Sequence, residues 1–267
     1  MSREPLTDAP EAALREAETW LAQHDLADAR PTPLLAHRLH ARRYARLAAS
    51  VILAVLILGS AGAATYSRFG PESARPVSLV ALTVLVAGLL LAQFLLDRWV
   101  RRVDRRAGAT LSRRAAHLIQ PGWRTVLGRP YAVFAAAVFA GSMVLTGSAL
   151  ALPDETVRRL AVVMLIGLLG ASAISALQLR HLIRHPVVAE DEPSLTADVI
   201  MRVEDARDLT TPNVQWTLPM ILLFGTAPGW WSAAALGYLL VSLGAFILLR
   251  AKTPSSTQVA RQSVGAR

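Results

Sequence analysis

The sequence predicts an all-α integral membrane protein, built as a six-span helical bundle of three hairpins with amphipathic cytoplasmic helices. Two observations predict this class. The mean hydropathy is +0.39 and 53% of the residues are hydrophobic, whereas soluble domains are typically net hydrophilic. Several apolar stretches also reach the about 20 residues that a helix needs to cross a hydrocarbon core of about 30 Å. We therefore expect a multi-pass protein of the cell membrane.

Five apolar segments have the length and composition of transmembrane helices. None of them contains a lysine, arginine, aspartate, glutamate or histidine, as burial in lipid demands. The segments are residues 48–66, 77–96, 131–152, 160–179 and 230–249. We predict that each one forms a spanning helix.

A sixth segment, 214–227, is shorter and contains Pro219, so it is either a tilted or broken span or a re-entrant loop. Basic residues lie before it and after the last apolar segment: Arg180, Arg184, Arg202, Arg207, Arg250 and Lys252. The positive-inside rule places both flanks in the cytoplasm, which requires an even number of crossings between them. We therefore predict six spans, with the N-terminus and the C-terminus both cytoplasmic.

This topology divides the chain into three parts. Residues 1–46 form a cytoplasmic amphipathic and basic segment, 47–250 the membrane domain with cytoplasmic loops 97–130 and 180–213, and 251–267 a cytoplasmic tail. All but four of the 28 basic residues are then cytoplasmic, the exceptions being Arg68, Arg75, Arg158 and Arg159. The net charge of +9 therefore lies beside the membrane, where lipid competes for it, and we expect no nucleic acid partner.

The N-terminal segment predicts an amphipathic helix. Asp8 and Glu11 resemble a capping box, and a helical pattern runs from Pro10 to about Leu26. Its apolar face consists of Ala13, Ala17, Trp20 and Leu21.

The first cytoplasmic loop, 97–130, alternates apolar residues at helical spacing with arginines. This pattern predicts an interfacial helix that contacts anionic lipid head groups, at about 1 kcal/mol for each basic residue. The candidate contacts are Arg101, Arg102, Arg105, Arg106, Arg113 and Arg114. The alternative is that these arginines only set the orientation of the neighbouring spans in the membrane.

The second cytoplasmic loop, 180–213, is acidic and predicts a helix with Ser194 as its N-cap. Its apolar stripe is narrow and consists of Leu195, Val199, Val203 and Ala206. Two interpretations of the acidic face remain open. The helix pairs with a basic helix of the same chain, or Glu204, Asp205 and Asp208 dock a cytoplasmic partner.

Motifs for catalysis are missing from the sequence. The five clear spans contain no ionisable group, and the chain has no cysteine. The run Gly170-Ala171-Ser172-Ala173 resembles the Gly-x-Ser-Gly element of rhomboid proteases, but it departs at the last position and no histidine follows in the sixth span. His181 and His185 have a metal-compatible spacing without a third ligand. We therefore predict no enzyme, no metal and no cofactor.

Two functions fit these features. The first is a non-catalytic, transport-related (permease-like) membrane component driven by a separate ATPase, with the broken helix around Pro219 as its pathway. The alternative is a membrane-anchored signalling or scaffold protein that docks a cytoplasmic regulator. Small residues at Gly167, Ala171 and Ser175 further predict close helix packing, in a compact bundle or in a homo-oligomer.

Overall fold

The computed structural model describes residues 10–69, 75–109, 122–184, 192–217 and 228–265, and within these ranges the chain is helical and contains no strand. The helices are α1 (Glu11–Gln23), α2 (Pro33–Phe69), α3 (Arg75–Ala109), α4 (Trp123–Val126), α5 (Arg129–Ser148), α6 (Glu155–Arg184), α7 (Glu192–Leu209), α8 (Gly229–Lys252) and α9 (Ser256–Gly265). A turn of 3₁₀ helix, Ala149–Ala151, extends α5. The predicted all-α class is confirmed.

Five of these helices, α2, α3, α5, α6 and α8, are long and apolar enough to cross a membrane, and they overlap the five predicted apolar segments. Their outer faces carry large apolar side chains. Leu58 and Val144, for example, are each 73% exposed. Such a surface favours lipid over water as its surroundings. The helices therefore agree with the prediction of a multi-pass membrane protein.

The predicted sixth span, 214–227, is described only at its start. Residues 213–217 are helical. The remainder of the segment, including Pro219, lies outside the described residues, as does the predicted capping residue Asp8.

Helices α2 and α3 pack against each other, and both are longer than a bilayer requires. At 1.5 Å per residue these helices measure about 55 Å and about 52 Å, against a hydrocarbon core of about 30 Å. Both extend at the same end into charged turns, 33–47 of α2 and 97–109 of α3. The prediction of a separate helix beginning near 97 differs from this structure. Because no proline or glycine lies between Leu89 and Ala107, α3 continues without a break.

A group of helices that we call the cap covers this charged end of the bundle. The cap consists of α1, α7, α9 and the charged turns 33–47 and 97–109. Ala17 of α1 and Leu39 of α2 pack with Met201 of α7. On another side of α7, Ile200 and Val203 pack with Ala260 of α9. The cap therefore has small apolar cores of its own, and α7 lies at its centre.

Helix α7 is buried on more faces than its sequence predicts. Every residue from Leu195 to Val203 is buried, including Thr196, Asp198 and Arg202. The predicted stripe was narrow because these polar residues interrupt the apolar pattern. Contacts from α2, α6 and α9 enclose the helix instead.

The main apolar core lies among the spanning helices, away from the cap. Leu82 of α3, Met164 and Leu168 of α6 and Trp231 of α8 are buried together there. The indole Nε1 of Trp231 donates to the Leu145 carbonyl at 3.2 Å, near the end of α5 that is far from the cap. At its other end, α8 lies beside α7. There Leu249 of α8 packs against the apolar cluster that contains Ala206 of α7. Helix α8 therefore runs from the far end of the bundle to the cap.

The first and the last described helices meet in the cap. Arg261 Nη2 of α9 lies 3.4 Å from Oδ2 of Asp25, just after α1, and 3.3 Å from the Asp25 carbonyl, to which it donates. Trp20 and Leu26 pack against the same cluster as Ala260. The two ends of the described chain therefore lie at the same end of the bundle.

Candidate functional site

A network of buried and half-buried ion pairs joins α2, α3 and α7 inside the cap. Arg38 donates through Nη2 to Asp198 Oδ1 at 2.5 Å and through Nε to Asp104 Oδ1 at 3.0 Å. Arg42 donates through Nε to Asp205 Oδ2 at 2.9 Å, and through Nη2 to Asp104 Oδ2 at 3.2 Å. Asp104 therefore bridges two arginines that lie one turn apart on α2.

Asp198 is the most enclosed member of the network, with a side chain that is fully buried. It also accepts a hydrogen bond from Arg202 Nε at 2.8 Å. Burial alone would raise the pKa of Asp198, but the charges of Arg38 and Arg202 outweigh that effect and hold the pKa below its usual range. Asp198 is therefore an anion at neutral pH, as its two partners require.

A second set of ion pairs lies at the rim of the cap. His24 Nε2 is 2.9 Å from Glu204 Oε1, and Arg46 Nη2 is 3.5 Å from Glu204 Oε2. Arg46 Nε also lies 3.0 Å from Asp208 Oδ2. The hydrogen bond to Glu204 raises the pKa of His24, although partial burial opposes it. These contacts tie α1 and α2 to the C-terminal half of α7.

The three carboxylates that the sequence offered for partner docking, Glu204, Asp205 and Asp208, all lie in these ion pairs. Of the two interpretations, pairing within the chain is the one that the contacts show, with arginines of α2 as the partners. Burial raises the pKa of Asp205 and of Asp208, with a contribution from neighbouring carboxylates, while Arg42 and Arg46 oppose the shift. Docking of a separate protein stays a prediction.

Below the network, a cleft of about 270 Å³ opens between the cap and the spanning helices. Its walls come from α2, α3, α6, α7 and the segment 211–215. The ionisable lining residues are Arg42, Arg46, Asp97, Arg101, Asp104, His181, Asp205 and Asp208. The apolar wall includes Ala49, Leu96, Val100, Ala171, Leu209 and Val214. The cleft thus combines charged groups with apolar surface.

Gln178 lines this cleft from α6 and is only 6% exposed. It hydrogen-bonds the carboxylate of Asp97, which is also ion-paired with Arg101. Because a carboxylate can only accept, the Gln178 NH₂ group faces Asp97. Its Oε1 atom is buried and accepts no hydrogen bond. Leaving a buried acceptor unpaired costs about 1–3 kcal/mol, so a donor at this position would be stabilising.

A second, smaller cavity of about 90 Å³ lies deeper among α2, α3 and α6. Its walls include Leu56 of α2, Val86 of α3 and Gly167 of α6. It shares four lining residues with the cleft: Ala49, Gln93, Asn213 and Val214. We call the cleft and this cavity together the passage. From Arg46 to Leu56 the passage follows α2 for about 15 Å at 1.5 Å per residue.

Comparison with protein-family models, with curated proteins and with solved structures finds no match to this chain. The candidate site therefore rests on the geometry alone. Within the described ranges, no group of three or more histidine, cysteine, aspartate or glutamate side chains is placed to hold a metal ion. His185 lies outside those ranges.

The predicted lipid-contact arginines occupy different surroundings. Arg101 lines the cleft beside Asp97, whereas Arg102, Arg105 and Arg106 are exposed on the last turns of α3. The remaining two, Arg113 and Arg114, lie outside the described residues.

Sequence reasoning missed Asp97 and Gln178 as site residues. Most polar groups in spans make an ordinary hydrogen bond within the bundle, so the sequence alone does not distinguish Gln178 as a site residue. One signal could have identified it, because Gln93 and Gln178 are the two amide side chains in the five clear spans. Both line the cleft.

Proposed function

We propose that the chain is a non-catalytic, transport-related (permease-like) component of the cell membrane, in which the passage is the route by which a solute enters the bundle from the cap. The adjacency of the cleft and the deeper cavity, which share four lining residues, carries this proposal. The passage begins among charged groups that can replace water around a solute, and it reaches the apolar interior near Leu56. Polar cavities among spanning helices are where transporters bind their substrates.

The proposal includes six crossings. Asn213 is near the cap, since it follows α7 and lines the cleft, while Trp231 packs at the far end. The intervening stretch, 214–228, reaches about 22 Å as a helix, which is most of a hydrocarbon core of about 30 Å. A sixth span here would leave both termini on the side of the cap. The distribution of basic residues favours the cytoplasm for that side.

Two expected partners are part of the proposal. The exposed Arg102, Arg105 and Arg106 contact anionic lipid head groups at the end of α3. A separate ATPase supplies the energy, since the sequence has no phosphate-binding loop of the Walker type. The alternative role, a scaffold docked through Glu204 and Asp208, is less well supported because a partner would have to displace the ion pairs of α7 with His24 and Arg46.

Cysteine accessibility tests the passage directly, since the natural chain has no cysteine. Leu53→Cys and Leu56→Cys place a thiol on its wall. Val51→Cys and Val55→Cys are the matched controls, because these side chains of the same helix are exposed on the outer surface. Thiol reagents react with the thiolate, which needs water.

We expect a small hydrophilic thiosulfonate to modify the two wall cysteines in membranes and to spare the two outer ones. All four should react after denaturation. Equal labelling of wall and outer positions, or wall cysteines that react only after denaturation, would contradict the proposed route.

A further inference from the structure

We propose that the cleft binds an organic cation, an alkylammonium or alkylguanidinium, whose N–H groups donate to Gln178 Oε1 and to the neighbouring carboxylate of Asp97. This inference names a ligand class for the passage and therefore rests on the function proposed above. Two independent observations carry it, the balance of charge around the cleft and the state of the Gln178 amide.

The first observation is an excess of negative charge. Four aspartates and three arginines line the cleft, so the lining carries one net negative charge when His181 is neutral. Each arginine is already engaged by carboxylates. Arg42 holds Asp104 and Asp205, Arg46 holds Asp208 and Glu204, and Arg101 holds Asp97. An anionic solute would have to compete with these pairs, whereas a cation would reduce repulsion among the carboxylates.

The second observation is the unpaired acceptor. Gln178 is more than nine-tenths buried and lines the cleft, and its Oε1 atom lacks a hydrogen-bond partner. An ammonium or guanidinium group has several N–H donors and can serve an amide oxygen and a carboxylate together. An ionised carboxylate ligand has no proton to donate to Gln178 Oε1. The unpaired oxygen of Gln178 and the excess of aspartates therefore both favour a positively charged ligand.

The apolar wall adds a requirement on the rest of the ligand. Leu96 and Val100 of α3 and Val214 face the same cleft as Asp97 and Gln178. An alkyl chain attached to the cationic group would bury apolar surface against them, at about 25 cal/mol for each Å² removed from water. The expected ligand is thus a cation with an apolar body rather than a bare inorganic ion.

The carboxylates of α7 at the mouth of the cleft agree with this chemistry. Asp205 is close enough to Asp104, and Asp208 to Asp205 and Glu204, for these carboxylates to repel one another, although Arg42 and Arg46 oppose that repulsion. A ligand cation near them would favour the charged form of both groups.

The test uses the purified full-length protein in mild detergent and titrates butylammonium, butylguanidinium, butanol and butyrate by calorimetry. The four probes share one apolar chain and differ in the charge and hydrogen-bonding of the head. We expect the two cations to bind at least about tenfold more tightly than butanol, because a charge-assisted hydrogen bond contributes more than a neutral one. Butyrate should bind most weakly. Equal affinity for all four probes, or a preference for butyrate, would overturn the inference.

Gln178→Met keeps the length of the side chain and removes the acceptor. We expect it to weaken butylammonium binding about tenfold and to leave butanol binding unchanged. Ser172→Ala is the matched control, because it removes another buried, unpartnered oxygen of α6 that does not line the cleft. A folded Gln178→Met protein with wild-type affinity for butylammonium would contradict the assignment.

A protection experiment with Gln178 in place covers the case in which that variant fails to fold. Ser175→Cys introduces a thiol on the wall of the cleft. Butylammonium should slow its labelling, and butyrate at the same concentration should not. Labelling that is indifferent to both probes would count against the site.

The two proposals can fail separately. If Leu56→Cys is accessible to water but the cations show no preference, the passage stands and the ligand class is wrong. If Leu56→Cys never reacts while butylammonium still protects Ser175→Cys, the cleft binds cations and the transport route is wrong.

Discussion

Nη2 of Arg38 and Oδ1 of Asp198 lie 2.5 Å apart although 160 positions separate the two residues in the chain. Both side chains are buried where α2 meets α7. Two buried charges are tolerated only when they compensate each other, so this pair fixes the position of α7 against the first spanning helix. The cap and the membrane-spanning part are thereby one mechanical unit, since α2 belongs to both.

The first prediction concerns this pair. Asp198→Ala removes the fully buried carboxylate that Arg38 and Arg202 share and leaves Arg38 with Asp104 as its remaining counter-ion, and breaking a buried pair costs about 3–5 kcal/mol. We expect that loss in the free energy of unfolding of the protein in detergent, measured by chemical denaturation. Glu11→Ala is the control, because its pair with Arg15 is exposed and should contribute about 0.5 kcal/mol or less.

A double replacement distinguishes charge from packing. Arg38→Met combined with Asp198→Leu removes both charges, and we expect it to recover part of the stability that Asp198→Ala loses. If Asp198→Ala and Glu11→Ala lower stability equally, the buried network does not hold the cap in place.

The second prediction concerns pH. The pKa of His24 is raised in the folded protein by its hydrogen bond to Glu204. Because the pKa is raised, the charged imidazolium stabilises the fold. This contribution is complete below the pKa of the unfolded state, about 6.5, and it is lost as the pH rises through the pKa of the folded state. We therefore expect the cap to lose stability between about pH 6.5 and the folded-state pKa of His24.

Hydrogen exchange of α1 and α7 at several pH values measures this loss. His24→Gln removes the titrating group and should flatten the pH dependence in that window. A His24→Gln protein with the same pH profile as wild type would assign the effect to other groups.

The third prediction concerns two glycines of the same helix. A Cβ atom at Gly141 of α5 would lie 2.8 Å from Cε2 of Tyr238, whose hydroxyl donates to the Val138 carbonyl at 2.8 Å. Since that hydrogen bond holds the ring, Gly141→Ala should force α5 and α8 apart and cost about 1–3 kcal/mol.

Gly147→Ala is the matched control, because nothing lies within 4 Å of the Cβ that it adds. It should stabilise α5 by about 0.5–1 kcal/mol through the helix propensity of alanine. Thermal unfolding in detergent compares the two variants. Similar melting temperatures for both would mean that α5 and α8 do not approach as closely as the structure describes.

The fourth prediction concerns the number of crossings. Glu18 of α1 and Gln258 of α9 are exposed in the cap, and Glu155 is exposed at the start of α6, at the far end. With six spans, single cysteines at 18 and 258 should react with an impermeant reagent from the cytoplasmic side, and a cysteine at 155 from the outside. If the cysteines at 18 and 258 are labelled from opposite sides of the membrane, the number of crossings is odd and the six-span proposal is wrong.

The sequence was sufficient to place the spanning helices but not the contacts of the cap. Absence of charge over about 20 residues is a local property, and it located all five described spans. The choice of Asp198 as the partner of Arg38 depends on how distant helices meet, which no local pattern encodes. Similarly, Asp198 and Arg202 resemble solvent-facing residues in the sequence because charged side chains are rarely buried unless they are paired.

The candidate site, too, could be predicted from the sequence only in part. The acidic character of α7 and the alternative of pairing within the chain could be inferred from charge alone, while the arginines of α2 as its partners could not. Asp97 and Gln178 come from α3 and α6, and they form one site only because the two helices pack together. The continuation of α3 beyond Leu96 could have been inferred, because its charged turns contain no helix-breaking residue before Gly108.

The contact between α7 and α9 has a consequence for biosynthesis. Ile200 and Val203 are covered in part by Ala260, which belongs to a helix that is synthesised after α7. At about 5–20 residues per second, roughly two to nine seconds separate the synthesis of Leu209 from that of Ser256. During that interval α7 exposes an apolar surface. A chain that terminates early keeps this surface exposed, and quality-control proteases can recognise it as incomplete.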